Sequence, residues 1–200
     1  MRMNRHDPLN PHQLRSAYEG QKSRPFDLSA PVATPLELHR CTVQPAWVDY
    51  NQHMSESCYL YVFGDNTDAF FRYFGIDDEY RERGHSVFTV ETHIRNRREV
   101  ALDEPLRLTL RLLDFDHKRL HTFHEMFHAE SGTLLASAEQ MLMHVDMRAG
   151  RAAPFPAEIQ QRLAVIHAAH SRAARPADAG RVIAIARRDA QAGGTRAEAA

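Results

Sequence analysis

The chain is poor in cysteine, has little charge imbalance and lacks long apolar runs, and each shortage excludes something. Cys41 and Cys58 stand far apart and form no CxxC pair, so neither a disulfide framework nor a cysteine-rich zinc site is indicated, and a reducing cytoplasm fits best. The formal net charge is −1, and the longest basic run, Arg95 to Arg98, is interrupted by Asn96. That leaves no basic field of the kind that holds nucleic acid. No window approaches the roughly 20 apolar residues of a spanning helix. The first residues, Met1-Arg2-Met3-Asn4-Arg5-His6, lack the apolar stretch of a signal peptide. These shortages predict a soluble, cytoplasmic protein with neither nucleic acid nor membrane as partner.

What is present suffices for one packed domain: 200 residues, 43% of them hydrophobic. Residues 1–35 mix Pro8, Pro11, Pro25, Pro31 and Pro35 with charged side chains, which suits a surface arm better than a helix or central strand. Residues 173–200 are rich in Ala and Arg, with Pro176 and Gly193-Gly194, and read as a tail. Within it, Val182-Ile183-Ala184-Ile185 is expected to form a short helix. The domain proper is placed at 36–172.

The periodicity inside that domain changes from strand to helix and back. Leu36 to Val48 suits a first strand. Ser55 is an N-cap side chain followed by Glu56 at the positive end of a helix dipole. Tyr59, Val62, Phe63, Phe70, Tyr73 and Phe74 recur at three-to-four-residue spacing, a buried helical face that Gly75 ends. Ser86 to Ile94 and the Leu106, Leu108, Leu110, Leu112 series alternate as strands do. Leu120 to His128 and Leu134 to Val145 predict two more strands joined at Glu130-Ser131-Gly132, and Pro156 opens a last helix burying Ile159, Leu163 and Ile166. One strand, one long helix and four strands in meander give an α+β fold, with the helix laid across a curved antiparallel sheet.

The chemistry concentrates in Asp49-Tyr50-Asn51-Gln52-His53-Met54, between the first strand and the long helix. A carboxylate and an imidazole stand four residues apart where first-turn N–H groups are free to hold an oxyanion, an arrangement suited to attack on a thioester or similar carbonyl. Asp49 is the candidate general base or nucleophile, His53 the group that orients it or positions the carbonyl, and Asn51 a polar partner. The bland alternatives are an Asx-turn aspartate and a structural histidine, both common in turns.

At these residues the chain resembles hotdog-fold acyl-CoA thioesterases of the 4-hydroxybenzoyl-CoA thioesterase-like branch, whose pattern is Asp-x-x-Gly-His-x-Asn-Asn-x-x-Tyr. Asp49, His53 and Tyr59 match; Gln52 replaces the glycine, and Ser55 and Glu56 replace the asparagines. A narrower resemblance is to betainyl-CoA thioesterases of carnitine breakdown. It rests on Val48-Asp49-Tyr50-Asn51, His53-Met54, Val62-Phe63-Gly64-Asp65, Thr89-Val90-Glu91-Thr92-His93, Lys118-Arg119-Leu120-His121 and Glu139-Gln140-Met141-Leu142. The resemblance implies a hotdog fold, hydrolysis of a small acyl-CoA without metal or cofactor, and a homodimer or homotetramer with sites at subunit interfaces. A quaternary ammonium donates no hydrogen bond, so aromatic faces and carboxylates must recognise it. Trp47, Tyr50, Tyr59, Glu56 and Glu91 are the candidates for that lining, and Arg95, Arg97, Arg98, Lys118 and Arg119 for the phosphates of coenzyme A.

Two other readings compete. His124-Glu125-Met126-Phe127-His128 spells HExxH, the zinc-protease signature when it lies on a helix. On a strand, its histidines would stand roughly 13 Å apart, too far to share an ion. Leu120, Phe123 and Phe127 also fit a helical stripe, so the sequence leaves both conformations open. From a different class, the chain reads as a non-catalytic hotdog module that binds acyl-CoA or a protein.

Overall fold

In the computed structural model, residues 15–185 are described. The elements run β1 (Leu36–Thr42), a 3-10 turn (Pro45–Trp47), α1 (Glu56–Phe74), α2 (Asp78–Glu82), β2 (His85–Asn96), β3 (Pro105–Phe115), β4 (Arg119–His128), β5 (Leu134–Asp146), β6 (Arg151–Ala152) and α3 (Ala157–His170). The main strands form one antiparallel sheet in the order β1-β3-β4-β5-β2, with β6 paired to β5.

Helix α1 is the axis of the core. Its Phe63, Phe70 and Phe74 are fully buried and pack on the Leu106, Leu108, Leu110 and Leu112 face of β3. Burying a leucine or phenylalanine side chain contributes about 1.5–3 kcal/mol, so this seam is the principal source of cohesion. Gly75 ends α1 in the left-handed region at φ 105°, its N–H donating to Phe71 O at 3.1 Å. Ile159, Leu163 and Ile166 of α3 close the same cluster.

Several expectations need correction. The first strand ends at Thr42 rather than Val48, because Pro45 cannot donate to a ladder and instead opens the 3-10 turn. The meander holds only for β3, β4 and β5; β2 sits at the far edge, paired with β5. Its place follows from α1, which spans the sheet and delivers the strands on its two sides to opposite edges. Ser55 occupies the N-cap position without a side-chain cap, its Oγ lying 3.2 Å from Ser57 Oγ. Residues 182–185 are irregular, with Val182 and Ile183 at 81% and 86% exposure; β-branched residues with nothing to pack against have no reason to coil. Helix α2 escapes hydrophobic periodicity because it is short and polar, but Asp77 caps it by accepting from Tyr80 N at 3.1 Å.

The described part of the expected arm runs along α1. Arg72 on that helix, 8% exposed, donates to Gln21 O, Tyr18 O and Ile76 O at 2.8, 3.1 and 3.0 Å. One buried guanidinium therefore ties the arm to the core by satisfying backbone carbonyls.

Candidate active site

Residues 48–54 form a small hairpin. Val48 bridges Met54, Asp49 N donates to His53 O at 3.0 Å, and Gln52 N donates to Asp49 O at 3.0 Å. The turn requires Gln52 at φ 65°, the left-handed conformation for which glycine is the usual choice. Gln52 therefore concentrates backbone strain at one residue of the turn. The hairpin rests on the loop after β2: Met54 N donates to Val100 O at 2.8 Å, and His53 bridges Ala101. Ser55 N then donates to Trp47 O at 2.8 Å, and α1 begins at the next residue. The hairpin that carries Asp49 thus leads straight into a helix whose first-turn N–H groups no side chain caps.

Asp49 is half-buried, and its Oδ1 accepts from Asn51 N at 2.7 Å. That is the Asx turn of the bland reading, and it fixes the carboxylate while Oδ2 has no hydrogen-bond partner among the described residues. Asn51 therefore contributes its backbone. No side-chain hydrogen bond joins Asp49 to His53 among the described residues; His53 Nδ1 instead lies 3.5 Å from Glu99 Oε2. Glu99 escaped sequence reading because it follows Arg97-Arg98 and looks like surface charge.

The expected aromatic lining divides. Trp47 packs edge-on against Tyr61, with ring centroids 5.7 Å apart, so Tyr61 joins the site from one turn inside α1. Tyr50 is 90% exposed at the tip of the turn. Tyr59 is a core residue, 3% exposed, whose hydroxyl donates to Arg98 O at 3.2 Å and pins the loop that supports the hairpin. Glu56 is exposed in the first turn of α1. Glu91 lies elsewhere: it pairs with Met141, which pairs with His121, on the sheet face turned away from α1.

The basic residues scatter as well. Arg95 and Arg97 are engaged by Asp178, and Arg98 is exposed beside the hairpin's supporting loop. Lys118 and Arg119 sit at the β3–β4 turn, the opposite end of β3 from the hairpin, and Arg119 pairs with Asp116 at 2.6 Å. Within one protomer, the structure does not bring these two to Asp49.

The HExxH run is strand β4, which removes the helical spacing that zinc binding needs. His124 is fully buried, its Nδ1 facing Asn66 Nδ2 at 3.0 Å and its Nε2 facing Thr122 Oγ1 at 3.1 Å. Burial lowers its pKa to about 3, so it is a neutral core histidine. His128, at the strand end, accepts from Ser131 N at 3.2 Å.

Known proteins share this architecture. A Staphylococcus aureus protein solved in complex with CoA superposes with a TM-score of 0.71 at 28% identity, covering 78% of this chain and all of that one. Betainyl-CoA thioesterase of Pseudomonas aeruginosa is 39% identical over 151 residues, 75% of this chain and 95% of that protein. L-carnitine dehydrogenase/betainyl-CoA thioesterase of Rhizobium meliloti is 46% identical over 162 residues, 81% of this chain but only 32% of that protein. The chain thus spans about a third of the length of that two-activity relative. Residues 43–163, from the first residue after β1 to the middle of α3, match the family model of the thioesterase-like superfamily. With its helix wrapped by a curled antiparallel sheet and its Asp49 hairpin feeding that helix, the chain belongs to the thioesterase-like superfamily and has the hotdog fold.

Proposed function

We propose that this chain hydrolyses betainyl-CoA to betaine and coenzyme A. The observation that carries the reading is the hairpin itself: Asp49 is held by its own Asx turn directly before the uncapped start of α1. A thioester carbonyl placed at that helix start receives N–H donors and the positive end of the dipole as its oxygen becomes negative. Asp49 either takes a proton from the attacking water or attacks the carbonyl carbon itself to form an anhydride that water then opens. On either route the C–S bond breaks, the thiolate of coenzyme A leaves and the acyl carbon becomes a carboxylate. His53, oriented by Glu99, positions the carbonyl.

The acyl group follows from the lining and from the relatives' names. Trp47 and Tyr61, packed edge-on beside the hairpin, supply aromatic rings there, and Glu56 adds negative charge, a combination that favours a quaternary ammonium over a neutral aromatic acyl group. The Pseudomonas aeruginosa and Rhizobium meliloti relatives carry betainyl-CoA thioesterase in their names.

A homodimer completes the reading. Strand β2 is a sheet edge on which Phe88 and Val90 remain 53% and 56% exposed, and a second copy laid along it would pair the edge and cover both. A cytoplasmic location accords with the two free cysteines; no helix among the described residues is long and apolar enough to cross a membrane. Thiol release from a panel of acyl-CoAs tests the assignment. Betainyl-CoA is expected to exceed 4-hydroxybenzoyl-CoA in kcat/KM. The reverse order would defeat the narrow reading, and no release from any thioester would favour a binding module.

A further inference from the structure

The tail residues after α3 do not trail away. They cross the face of the sheet turned from α1 as a strap, held at one end by Arg111 Nη1 donating to Ala174 O at 2.6 Å and at the other by Gly180 N donating to Glu139 Oε2 at 2.7 Å. Between these anchors, Asp178 is pressed onto the sheet with its side chain only 10% exposed. Its Oδ1 lies 2.5 Å from Arg95 Nη1, and its Oδ2 accepts from Arg97 through Nε at 3.2 Å and through Nη2. Ser137 Oγ, cross-strand from Arg95, approaches Oδ2 at 3.4 Å. Arg181 Nη1 stands 3.8 Å from Oδ1.

Two guanidinium groups and a hydroxyl converging on two anionic oxygens make the donor set that recognises a phosphate. We propose that Arg95, Arg97 and Ser137 form a phosphate-binding site and that Asp178 occupies it as an internal competitor. The inference rests on the acyl-CoA reading, since coenzyme A is the substrate part that carries phosphates. With Asp178 in place, the free space at the site is ≈ 10 Å³, too little for a phosphate. It adjoins a cavity of ≈ 230 Å³ lined by His93, His121 and Glu139 and walled by Gly180 and Arg181 of the strap itself, so lifting the strap opens both spaces to solvent.

Lifting the strap uncovers Phe123, which lines the site at 3% exposure, but residues beyond the anchor add no burial, Val182, Ile183 and Ile185 being 81%, 86% and 85% exposed. An incoming dianion takes over the contacts that Asp178 makes with Arg95 and Arg97. The chain also runs on from the site to the support of the Asp49 hairpin: Arg97 and Arg98 lead into the loop whose Arg98 O accepts from Tyr59 and whose Ala101 bridges His53.

Calorimetric titration of the full chain with coenzyme A tests the proposal. A strap that is closed about nine-tenths of the time raises the apparent Kd roughly tenfold. Asp178→Ala and the near-isosteric Asp178→Asn are therefore expected to bind coenzyme A roughly five- to tenfold more tightly than the parent. Adding Arg97→Gln to either variant should abolish the gain. Unchanged or weaker binding by both Asp178 variants, with native circular dichroism, would overturn the competitor, and so would a gain that survives Arg97→Gln. A parallel titration with inorganic pyrophosphate separates this from the acyl-CoA reading: tighter pyrophosphate binding by the variants, with coenzyme A binding to none of them, would keep the anion site and remove the substrate.

Discussion

Acid should unfold this protein through His124, and the size of the effect follows from where that ring sits. It is fully buried between α1 and the sheet, edge-on to Phe63, and it shares hydrogen bonds with Asn66 and Thr122. Asn66 Nδ2 also lies 3.3 Å from Thr109 O, so it donates to the histidine Nδ1, which must be unprotonated, and Nε2–H faces the threonine hydroxyl. Protonating Nδ1 would set two donors against each other in a dry core. Burial lowers the folded-state pKa from 6.5 to about 3. A depressed histidine pKa contributes stability that is complete above about pH 6.5 and disappears as pH falls toward 3, because the unfolded chain takes up the proton first. The full swing is about 5 kcal/mol, and about 2 kcal/mol of it lies between pH 7 and pH 5. Urea unfolding at the two pH values measures this directly in the parent and in His124→Gln, which cannot titrate. The parent should lose about 2 kcal/mol more than the variant over that interval. Equal losses in both would refute the argument and move the acid sensitivity to His39, His144 and His170, whose pKa values burial also lowers.

Other outcomes follow from the hairpin and the helix end. Gln52→Gly removes a left-handed strain of about 1–2 kcal/mol at the cost of some glycine entropy, so thermal unfolding should show a net gain of about 0.5–1 kcal/mol; a loss would mean that the Gln52 side chain holds the turn. Gly75→Ala should destabilise by about 1–2 kcal/mol in the same assay, because φ is 105° and the new Cβ would lie 2.0 Å from Arg162 Nη1. Asp49→Asn keeps the Asx turn but can neither accept the water's proton nor attack, so kcat for thiol release should fall by roughly 10²–10⁴ with an unchanged Tm. A variant that retains a tenth of the activity would shift the chemistry to another group.

Much of this molecule was legible in the order of its residues. The three-to-four-residue spacing from Tyr59 to Phe74 and the alternating leucines of β3 determine one helix and one sheet face by their periods alone, since an apolar stripe of fixed period has only one way to leave water. Asp49 and His53 were visible because hairpin and helix start are local in sequence, so a short motif carries their geometry. Tertiary structure decided what depends on residues distant along the chain. It moved β2 across the sheet to β5, turned the HExxH run into a strand with a dry histidine, and placed Glu91 on the far face. It also set Glu99 beside His53 and Asp178 between Arg95 and Arg97. Periodicity tells a residue which side of its own element it faces. Which element lies opposite, and which charge an arginine meets there, is settled only when the strands pair and the strap comes down.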